Sequence, residues 1–180
     1  MRILKENTIG LLIDFQEKLF PHMQEKEQLE LKVSKLITGL KILEITVLVT
    51  EQYSKGLGDT IPSLQKLFSD CSAIEKMTFS CCDEPVFLKR LQQSEKKNVI
   101  LCGIETHVCV LQTTIDLLQA GYQPVVVEDC VSSRNLNDKH IAIERLRQEG
   151  AIISSLESIL FELARTSGTE IFKAISKLVK

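Results

Sequence analysis

A carboxylate, an ammonium group and a thiol each follow a different short apolar segment of the chain. Asp14 ends the first of these segments, Lys76 ends the third, and Cys109 lies shortly after the fourth. A carboxylate beside a thiol can accept its proton and so generate a nucleophile. A nearby lysine keeps that carboxylate ionised, because opposite charges a few ångströms apart favour the charged forms. Singly, Asp14 could be a turn residue and Lys76 a solvated lysine, so the combination is what predicts thiol chemistry.

Cys109 is the candidate nucleophile. Thr106 is suitably placed to cap the helix that the following residues predict, which would put Cys109 in its first turn. Unpaired backbone N–H groups and the helix dipole favour an anion there. We therefore predict a lowered pKa for this thiol and a place for an oxyanion beside it. The alternative interpretation is a structural cysteine at the junction of a strand and a helix, since cysteines are commonly buried.

The sequence does not predict a metal site or a cofactor site. A dyad of His107 with Cys109 is disfavoured, because side chains two residues apart do not face each other on a helix. A zinc site that includes Cys102 matches no familiar ligand spacing, so we interpret His107 as lining a pocket or packing at a helix start. The absence of a phosphate-binding glycine motif predicts no nucleotide cofactor. Cys81 and Cys82 are interpreted as packing residues, because adjacent cysteines form a disulfide only with strain.

Six short segments rich in β-branched residues predict the strands that position these side chains. The segments are continuously apolar rather than alternating, as expected for strands buried on both faces. They cover residues 8–13, 45–50, 72–75, 98–103, 124–128 and 150–153.

Helical periodicity fills most of the intervals between these strands. Strands that alternate with helices predict an α/β fold, with a parallel sheet covered by helices on both faces. In such sheets ligands bind beyond the carboxyl ends of the strands, where the strand order reverses. Asp14, Lys76 and Cys109 are therefore expected to meet at one edge. The predicted helices cover residues 29–43, 108–118, 138–148, 158–163 and 170–180.

Length and composition predict a single domain over residues 1–180. Of these residues, 44% are apolar and 26% are charged, and the formal net charge is −2. This balance leaves no basic surface for nucleic acid or for an anionic membrane. No apolar run approaches the roughly 20 residues of a membrane span, and the charged N-terminus argues against a signal peptide. We expect a cytoplasmic protein with reduced cysteines that acts on a small molecule.

Several segments in order resemble the isochorismatase-like cysteine hydrolases, in the isochorismatase domain-containing subgroup. The resemblance covers nearly the whole chain and implies a three-layer α/β/α fold with a doubly wound, six-stranded parallel sheet. The matching residues are 12–16 (LIDFQ), 50–53 (TEQY), 75–76 (EK), 79–80 (FS), 103–110 (GIETHVCV), 112–116 (QTTID), Asp129 and 132–134 (SSR).

The resemblance also implies roles for individual residues. Asp14, Lys76 and Cys109 correspond to the catalytic set of the family. A cis peptide bond is implied between Ile104 and Glu105, with the backbone N–H groups of Glu105 and Cys109 as the oxyanion hole. The candidate substrate-binding residues are Phe15, Gln52, Phe79 and His107.

Two departures from the family bear on the substrate. Nicotinamidases carry an Asp-x-His metal site after the second strand, whereas this chain has Glu51, Gln52 and Tyr53 there. We therefore expect no metal and do not expect nicotinamide as substrate. Members that cleave the isochorismate vinyl ether do not use the nucleophilic cysteine, so the presence of Cys109 argues against that reaction.

The main hypothesis is a metal-independent hydrolase of a small C–N, amide-like bond. Asp14 would accept the Cys109 proton, the thiolate would form a thioester, and water would then release the acid. One alternative is a catalytically idle binding or scaffold protein of the same fold. A less favoured one is a redox-sensing protein that pairs Cys109 with Cys81 or Cys82. The apolar face of residues 161–180 would pack on the domain or on a neighbouring subunit, and we expect a homo-oligomer.

Overall fold

The computed structural model describes residues 2–68 and 73–180 and contains one six-stranded sheet within them. All neighbouring strands are parallel, in the order β3-β2-β1-β4-β5-β6. This confirms the predicted α/β fold. Cys71 and Ser72, the latter in the third predicted strand, lie outside the described residues. The strands are β1 (Thr8–Ile13), β2 (Val47–Gln52), β3 (Ile74–Lys76), β4 (Asn98–Ile104), β5 (Gln123–Ser132) and β6 (Ile152–Ser154).

Helices cover both faces of the sheet, as the continuous apolar strands require. Helices α1, α7 and α8 pack over one face, and α4, α5 and α6 pack over the other. A π-helical turn (Thr106–Val110) precedes α5. The helices are α1 (Lys26–Ile42), α2 (Ser54–Leu57), α3 (Pro62–Gln65), α4 (Pro85–Gln93), α5 (Leu111–Gln119), α6 (Leu136–Glu149), α7 (Leu156–Ala164) and α8 (Glu170–Val179), with 3-10 turns at Lys5–Asn7, Phe20–His22 and Cys81–Asp83.

The central strands β1 and β4 supply side chains to both hydrophobic cores. All their residues are buried. Leu12 packs in the core beneath α1, while its neighbours Leu11 and Ile13 pack in the core on the opposite face. Side chains alternate between the two faces of a strand, so a strand covered on both sides must be apolar at every position.

The strand order reverses between β1 and β4. From β1 the chain moves outward to β2 and β3, then returns to β4 on the other side of β1 and continues outward to β6. The connections that leave β1 and β4 therefore separate in opposite directions and leave a crevice at the carboxyl ends of these two strands. Asp14 directly follows β1, and Cys109 follows β4 in the π-helical turn.

Gly103 allows β1 and β4 to approach closely at this edge. A Cβ atom at position 103 would lie 2.6 Å from Ile13 Cβ and 3.1 Å from the Ile13 carbonyl oxygen. Such contacts are too short for non-bonded carbon atoms, so a side chain here would displace the end of β1. The glycine thus helps to set the position of the adjacent Asp14.

Helix α4 is the main element that the sequence patterns missed. It is short, and its buried side chains are Phe87 and Leu91. Its start is nevertheless marked by Pro85 in the first turn and by the Glu84 carboxylate, which accepts a hydrogen bond from the Val86 N–H at 3.1 Å.

The C-terminal segment packs on its own domain. Helix α8 lies against α1 and α7, and the rings of Phe161 and Phe172 are 5.9 Å apart between their centroids. Part of its apolar face therefore packs on the domain, which is one of the two positions expected for it. None of the described helices is long and apolar enough to cross a membrane.

Candidate active site

Asp14 is fully buried at the end of β1 and is held at both carboxylate oxygens. Oδ1 accepts a hydrogen bond from the Thr50 hydroxyl at 2.8 Å, and Oδ2 accepts one from Lys76 Nζ at 2.7 Å. Its backbone has a φ of 56°, in the left-handed region that aspartate tolerates better than most residues. The carboxylate therefore has a fixed position and a charged partner.

The Lys76 ammonium group is surrounded by acceptors. Besides Asp14, it donates to Gln52 Oε1 at 2.7 Å and faces the Thr78 and Phe79 carbonyl oxygens, each at 3.2 Å. Its Nζ lies 3.7 Å from Cys109 Sγ. Burial is the largest single effect and lowers the pKa of this lysine, but the charge of Asp14, the nearby Cys109 and Cys81 and the hydrogen bond to Asp14 together outweigh it, so the net pKa is raised. The side chain is thus a buried, permanent cation between a carboxylate and a thiol.

Cys109 lies in the π-helical turn after β4 and is almost completely buried. Together with the contacts above, its position brings the three predicted residues Asp14, Lys76 and Cys109 into one buried cluster. Short π-helical turns are rare and frequently occur at functional sites. The cluster lies at the carboxyl edge of the sheet, where the strand order reverses.

The prediction of a lowered pKa for Cys109 is wrong in this structure. Burial raises the pKa of the thiol well above its ordinary value, and the charge of Asp14 together with its hydrogen bond raises it further. Lys76 acts in the opposite direction but does not compensate for these effects. The raised pKa favours the protonated thiol, and a protonated thiol needs a proton acceptor before its sulfur can attack a carbonyl carbon.

The predicted capping role of Thr106 is also wrong. Glu105 occupies the N-cap position, and no side chain caps this turn. The buried Thr106 hydroxyl is the one buried side-chain N or O atom without a hydrogen-bond partner among the described residues. An unpaired buried hydroxyl costs free energy, so Thr106 is expected to destabilise the fold.

Glu105 connects the site to the end of β5. The peptide bond between Ile104 and Glu105 is cis. The Glu105 carboxylate accepts hydrogen bonds from the Arg134 backbone N–H at 2.9 Å and from Arg134 Nε at 3.1 Å. No backbone oxygen of the described residues accepts a hydrogen bond from the Glu105 N–H. This N–H is consequently available to a ligand.

His107 lies on the same turn as Cys109 but makes a separate contact. Its Nδ1 is 3.0 Å from the Ser133 hydroxyl, and the ring is half-buried. Within residues 2–68 and 73–180, no group of three or more His, Cys, Asp and Glu side chains is arranged to hold a metal ion.

Gln16 and Gln52 fix the loop after β2. The Gln16 amide donates to the carbonyl oxygens of Gln52 at 2.9 Å and Gly58 at 2.7 Å, and it accepts from the Gln52 N–H at 2.7 Å. The Gln52 side chain in turn bonds Lys76 and donates to the Met77 carbonyl at 2.9 Å. Gln52 therefore orients the lysine. From the sequence, Gln52 was expected to bind substrate, and nothing in the sequence pattern marked Gln16 or Thr50 as part of the site.

The two predicted aromatic wall residues have different environments. Phe15 has no exposed surface and packs against Phe20 in the core beneath α1, with 6.1 Å between ring centroids. Its expected position on a pocket wall is therefore not what the structure shows. Phe79 is exposed beside Lys76. An aromatic residue next to a catalytic motif can serve the core as well as the pocket, and sequence does not separate these cases.

The two adjacent cysteines lie near the cluster without joining it. Cys81 is buried, with its sulfur 3.8 Å from the Thr50 hydroxyl, and burial raises its pKa to about 12. Cys82 is half-buried, and burial raises its pKa to about 12 as well. All five described cysteines are free thiols.

A cavity of about 530 Å³ opens at the opposite, amino edge of the sheet, beside Thr8 and Thr46. Its lining includes none of Asp14, Lys76 and Cys109. Volume alone would favour that cavity, whereas the buried ion pair and the thiol place the candidate chemistry at the carboxyl edge.

Comparison with known proteins gives consistent matches over most of the chain. The family model of the isochorismatase domain matches residues 8–158. Isochorismatase domain-containing protein 2A of Mus musculus is 38% identical over 180 residues, which cover 99% of this chain and 85% of that protein.

Two solved structures share the fold over almost the full length. The structure of MAR1 ribonuclease from Caenorhabditis elegans has a TM-score of 0.93 and 39% identity, covering 99% of this chain and 92% of that one. The YcaC gene product of Escherichia coli, described as an octameric hydrolase of unknown specificity, has a TM-score of 0.94 and 25% identity, covering 99% and 89%.

Proposed function

The chain belongs to the isochorismatase family, and from this membership and the geometry above we propose that it is a metal-independent cysteine hydrolase of a small C–N, amide-like bond. Family membership supports a hydrolase-type function. The observation that supports the finer proposal is the buried contact of Lys76 with both Asp14, at 2.7 Å, and Cys109, at 3.7 Å. A carboxylate, a cation and a thiol in contact are the components of acyl transfer through a thioester.

In the first step Asp14 accepts the proton of the Cys109 thiol as the sulfur attacks the substrate carbonyl carbon. Negative charge then moves from the carboxylate to the substrate oxygen. Lys76 contacts Asp14 and the Cys109 sulfur and stays protonated, so its positive charge remains beside the reacting atoms before and after the proton transfer. The Gln52 amide and two backbone carbonyls keep the ammonium group in place as the proton moves.

Backbone N–H groups are proposed to stabilise the tetrahedral intermediate. The Glu105 N–H lacks a backbone acceptor among the described residues, and Cys109 lies in the turn that follows. Donors fixed before the reaction stabilise a developing oxyanion without reorganisation cost. The salt bridge between Glu105 and Arg134 would hold this segment in place.

Collapse of the intermediate breaks the C–N bond. Asp14, now protonated, transfers its proton to the leaving nitrogen, and ammonia or an amine departs from the thioester. Water then attacks the thioester carbonyl while Asp14 accepts one of its protons. The carboxylic acid product leaves, and the proton returns to the Cys109 sulfur.

The name of the Caenorhabditis elegans relative raises RNA as an alternative substrate. RNA binding depends on cationic side chains free to contact phosphates. This chain has a net charge of −2, and Lys76 and Arg134, which contact the carboxylates of the site, are paired with Asp14 and Glu105. The charge distribution thus favours a small substrate.

Assembly and location are part of the same proposal. We propose a homo-oligomer, because an octameric relative shares the fold at 25% identity. We also propose that the protein works in the cytoplasm, where its free thiols would stay reduced. Sedimentation and cell fractionation test these two points.

The test of the proposed activity is a panel of small primary amides assayed for ammonia release and, after acid quench, for a thioester by intact mass. We expect a mass increase equal to the acyl group, mapped to Cys109 and absent in a Cys109→Ala variant. Cys82→Ser, which removes a half-buried thiol outside the cluster, is the matched control and should keep activity. Ammonia release that persists in Cys109→Ala would refute the thioester mechanism. Unchanged partner binding with no turnover on any amide would instead support the binding-protein alternative.

A further inference from the structure

Three large apolar side chains are exposed next to the buried site. Met77 is 68% exposed, Phe79 is 54% exposed and Tyr53 is 45% exposed. Among residues 2–68 and 73–180, seven large apolar side chains are exposed in all, and the other four lie on helices α1, α4 and α6. The three residues Tyr53, Met77 and Phe79, which we call the apolar rim, are thus the exposed apolar residues of the loops at the carboxyl edge.

Hydrogen bonds that involve backbone groups of the apolar rim connect it to Lys76 and Gln52. The Tyr53 N–H donates to the Lys76 carbonyl oxygen at 3.0 Å, and the Phe79 carbonyl faces Lys76 Nζ at 3.2 Å. The Met77 carbonyl accepts from the Gln52 amide that orients the lysine. The rim therefore has a defined position relative to the cluster.

The loop that carries Tyr53 is held rigidly. Tyr53 itself has a φ of 38°, and its ring lies against Gly56, where a Cβ atom would come within 2.1 Å of the ring. Glu51 accepts two hydrogen bonds from Thr60, both at 2.7 Å. An exposed aromatic ring held in this way is prepared for contact before any ligand arrives, which lowers the entropic cost of binding.

The charges that contact the site are paired within the described residues, while Glu51 on β2 and Glu75 on β3 bond hydroxyl groups rather than cations. Asp14 is paired with Lys76, and Glu105 is paired with Arg134. An anionic or a cationic substrate would have to compete with one of these pairs, and in the buried pair that competition is costly. The electrostatics therefore favour a neutral substrate.

From these observations we propose that the substrate is a small neutral carboxamide whose acyl or amine substituent is apolar, and that this substituent packs on the apolar rim. This proposal rests on the proposed function, because it concerns the substrate of the same thiol. We infer a neutral substrate because the charges that contact the site are already paired. We infer an apolar substituent because the exposed side chains of the apolar rim are poorly solvated by water and would be stabilised by burial. Tyr53 and Met77 are thus proposed as substrate contacts in addition to Phe79, which the family resemblance already implied.

Thiol alkylation tests the substrate class without requiring turnover. The probes are N-benzyl-2-chloroacetamide, 2-chloroacetamide and chloroacetate, each of which loses chloride to a thiol. Rates at Cys109, read by peptide mapping, are divided by the rates for N-acetylcysteine to remove intrinsic reactivity. We expect the benzyl probe to be favoured over chloroacetate by about tenfold or more, as apolar burial of part of a ring predicts.

Variants locate the preference on the surface. In the double variant Met77→Ser/Phe79→Ser, the ratio of the alkylation rate with the benzyl probe to that with chloroacetate should fall several-fold. It should approach the ratio measured for N-acetylcysteine. The matched control is Leu31→Ser/Ile141→Ser, which removes apolar side chains of similar exposure on α1 and α6 and should leave the preference unchanged.

Three results would overturn the inference: preference for chloroacetate, an unchanged benzyl preference in the rim variant, or a change of oligomeric state confined to that variant. The last would mean that a second copy of the chain covers the rim. Failure of the proposed function looks different. The benzyl preference would persist while no amide in the panel yields a thioester or ammonia.

Discussion

Replacing Asp14 by asparagine should make Cys109 more reactive toward an alkylating agent while abolishing hydrolysis. The substitution is nearly isosteric and keeps an oxygen for the Thr50 hydroxyl. It removes the negative charge that, after burial, contributes most to raising the thiol pKa. Lys76 would remain as a buried cation whose nearest available counterion is the Cys109 thiolate.

The magnitude follows from the distance between Lys76 Nζ and Cys109 Sγ. At 3.7 Å and an effective dielectric constant of about 20, the attraction between an ammonium group and a thiolate is ~4 kcal/mol. That energy corresponds to roughly three pKa units. In the native site Asp14 offsets this attraction, so its removal should bring the thiol pKa from well above its ordinary value to near or below it. At neutral pH the thiolate fraction and the alkylation rate should rise by at least about tenfold.

Hydrolysis should change in the opposite direction. Without a carboxylate to accept and return the proton, turnover should fall by about 10²- to 10⁴-fold. A general loss of structure would lower turnover but would also expose Cys102 and Cys130, which are buried in the native fold. Selective alkylation at Cys109 therefore separates the two explanations.

The assay is the rate of alkylation by iodoacetamide between about pH 6 and 10, followed by intact mass and peptide mapping. A Cys82→Ser background removes the half-buried competitor. The double variant Asp14→Asn/Lys76→Met is the control, because loss of both charges should return Cys109 to slow reaction. Circular dichroism shows whether the Asp14→Asn variant is folded. If it is folded but alkylated no faster than its parent, the proposal that Asp14 raises the pKa of the Cys109 thiol is refuted.

Three further predictions concern stability. Thr106→Val should raise the free energy of unfolding by about 1 kcal/mol, because it removes a buried hydroxyl that has no partner among the described residues. A variant that melts at a lower temperature than the native protein would show that the hydroxyl is bonded. Burial raises the pKa of Cys81 to about 12, so the folded state holds this proton more tightly than the unfolded chain, and stability should fall as pH rises above the ordinary thiol value. Between about pH 8 and 10 the native protein should lose about 1 kcal/mol more than Cys81→Ser in urea unfolding, and equal losses would contradict this. Gly103→Ala should cost about 1–3 kcal/mol and lower activity through Asp14, because the new Cβ meets the end of β1; unchanged stability and activity would exclude that contact.

The strands were predictable because their determinants are local. A segment buried on both faces must be apolar throughout, and β1 was predicted with the same bounds that the structure shows. The second strand ends two residues later than predicted and the third strand one residue later, because their ends carry the polar Gln52 and Lys76 into the site. Helix α4, with nine residues, was not predicted.

The members of the candidate site were also predictable, since parallel strands bring their carboxyl ends to one edge. Their chemical state was not. Sequence placed Cys109 near a helix start and therefore predicted a lowered pKa. Burial and the nearby Asp14 carboxylate, neither of which is local in the chain, raise that pKa instead.

The sequence by itself determined the strands, their parallel arrangement, and the presence of a carboxylate, an ammonium group and a thiol at the strand ends. These depend on side-chain periodicity and on chain direction, which short segments carry. Only the tertiary structure decided that Phe15 belongs to the core, that Gln52 orients Lys76, and that the Thr106 hydroxyl has no partner among the described residues. Those properties depend on distances between residues far apart in the chain, and such distances arise only when the layers pack.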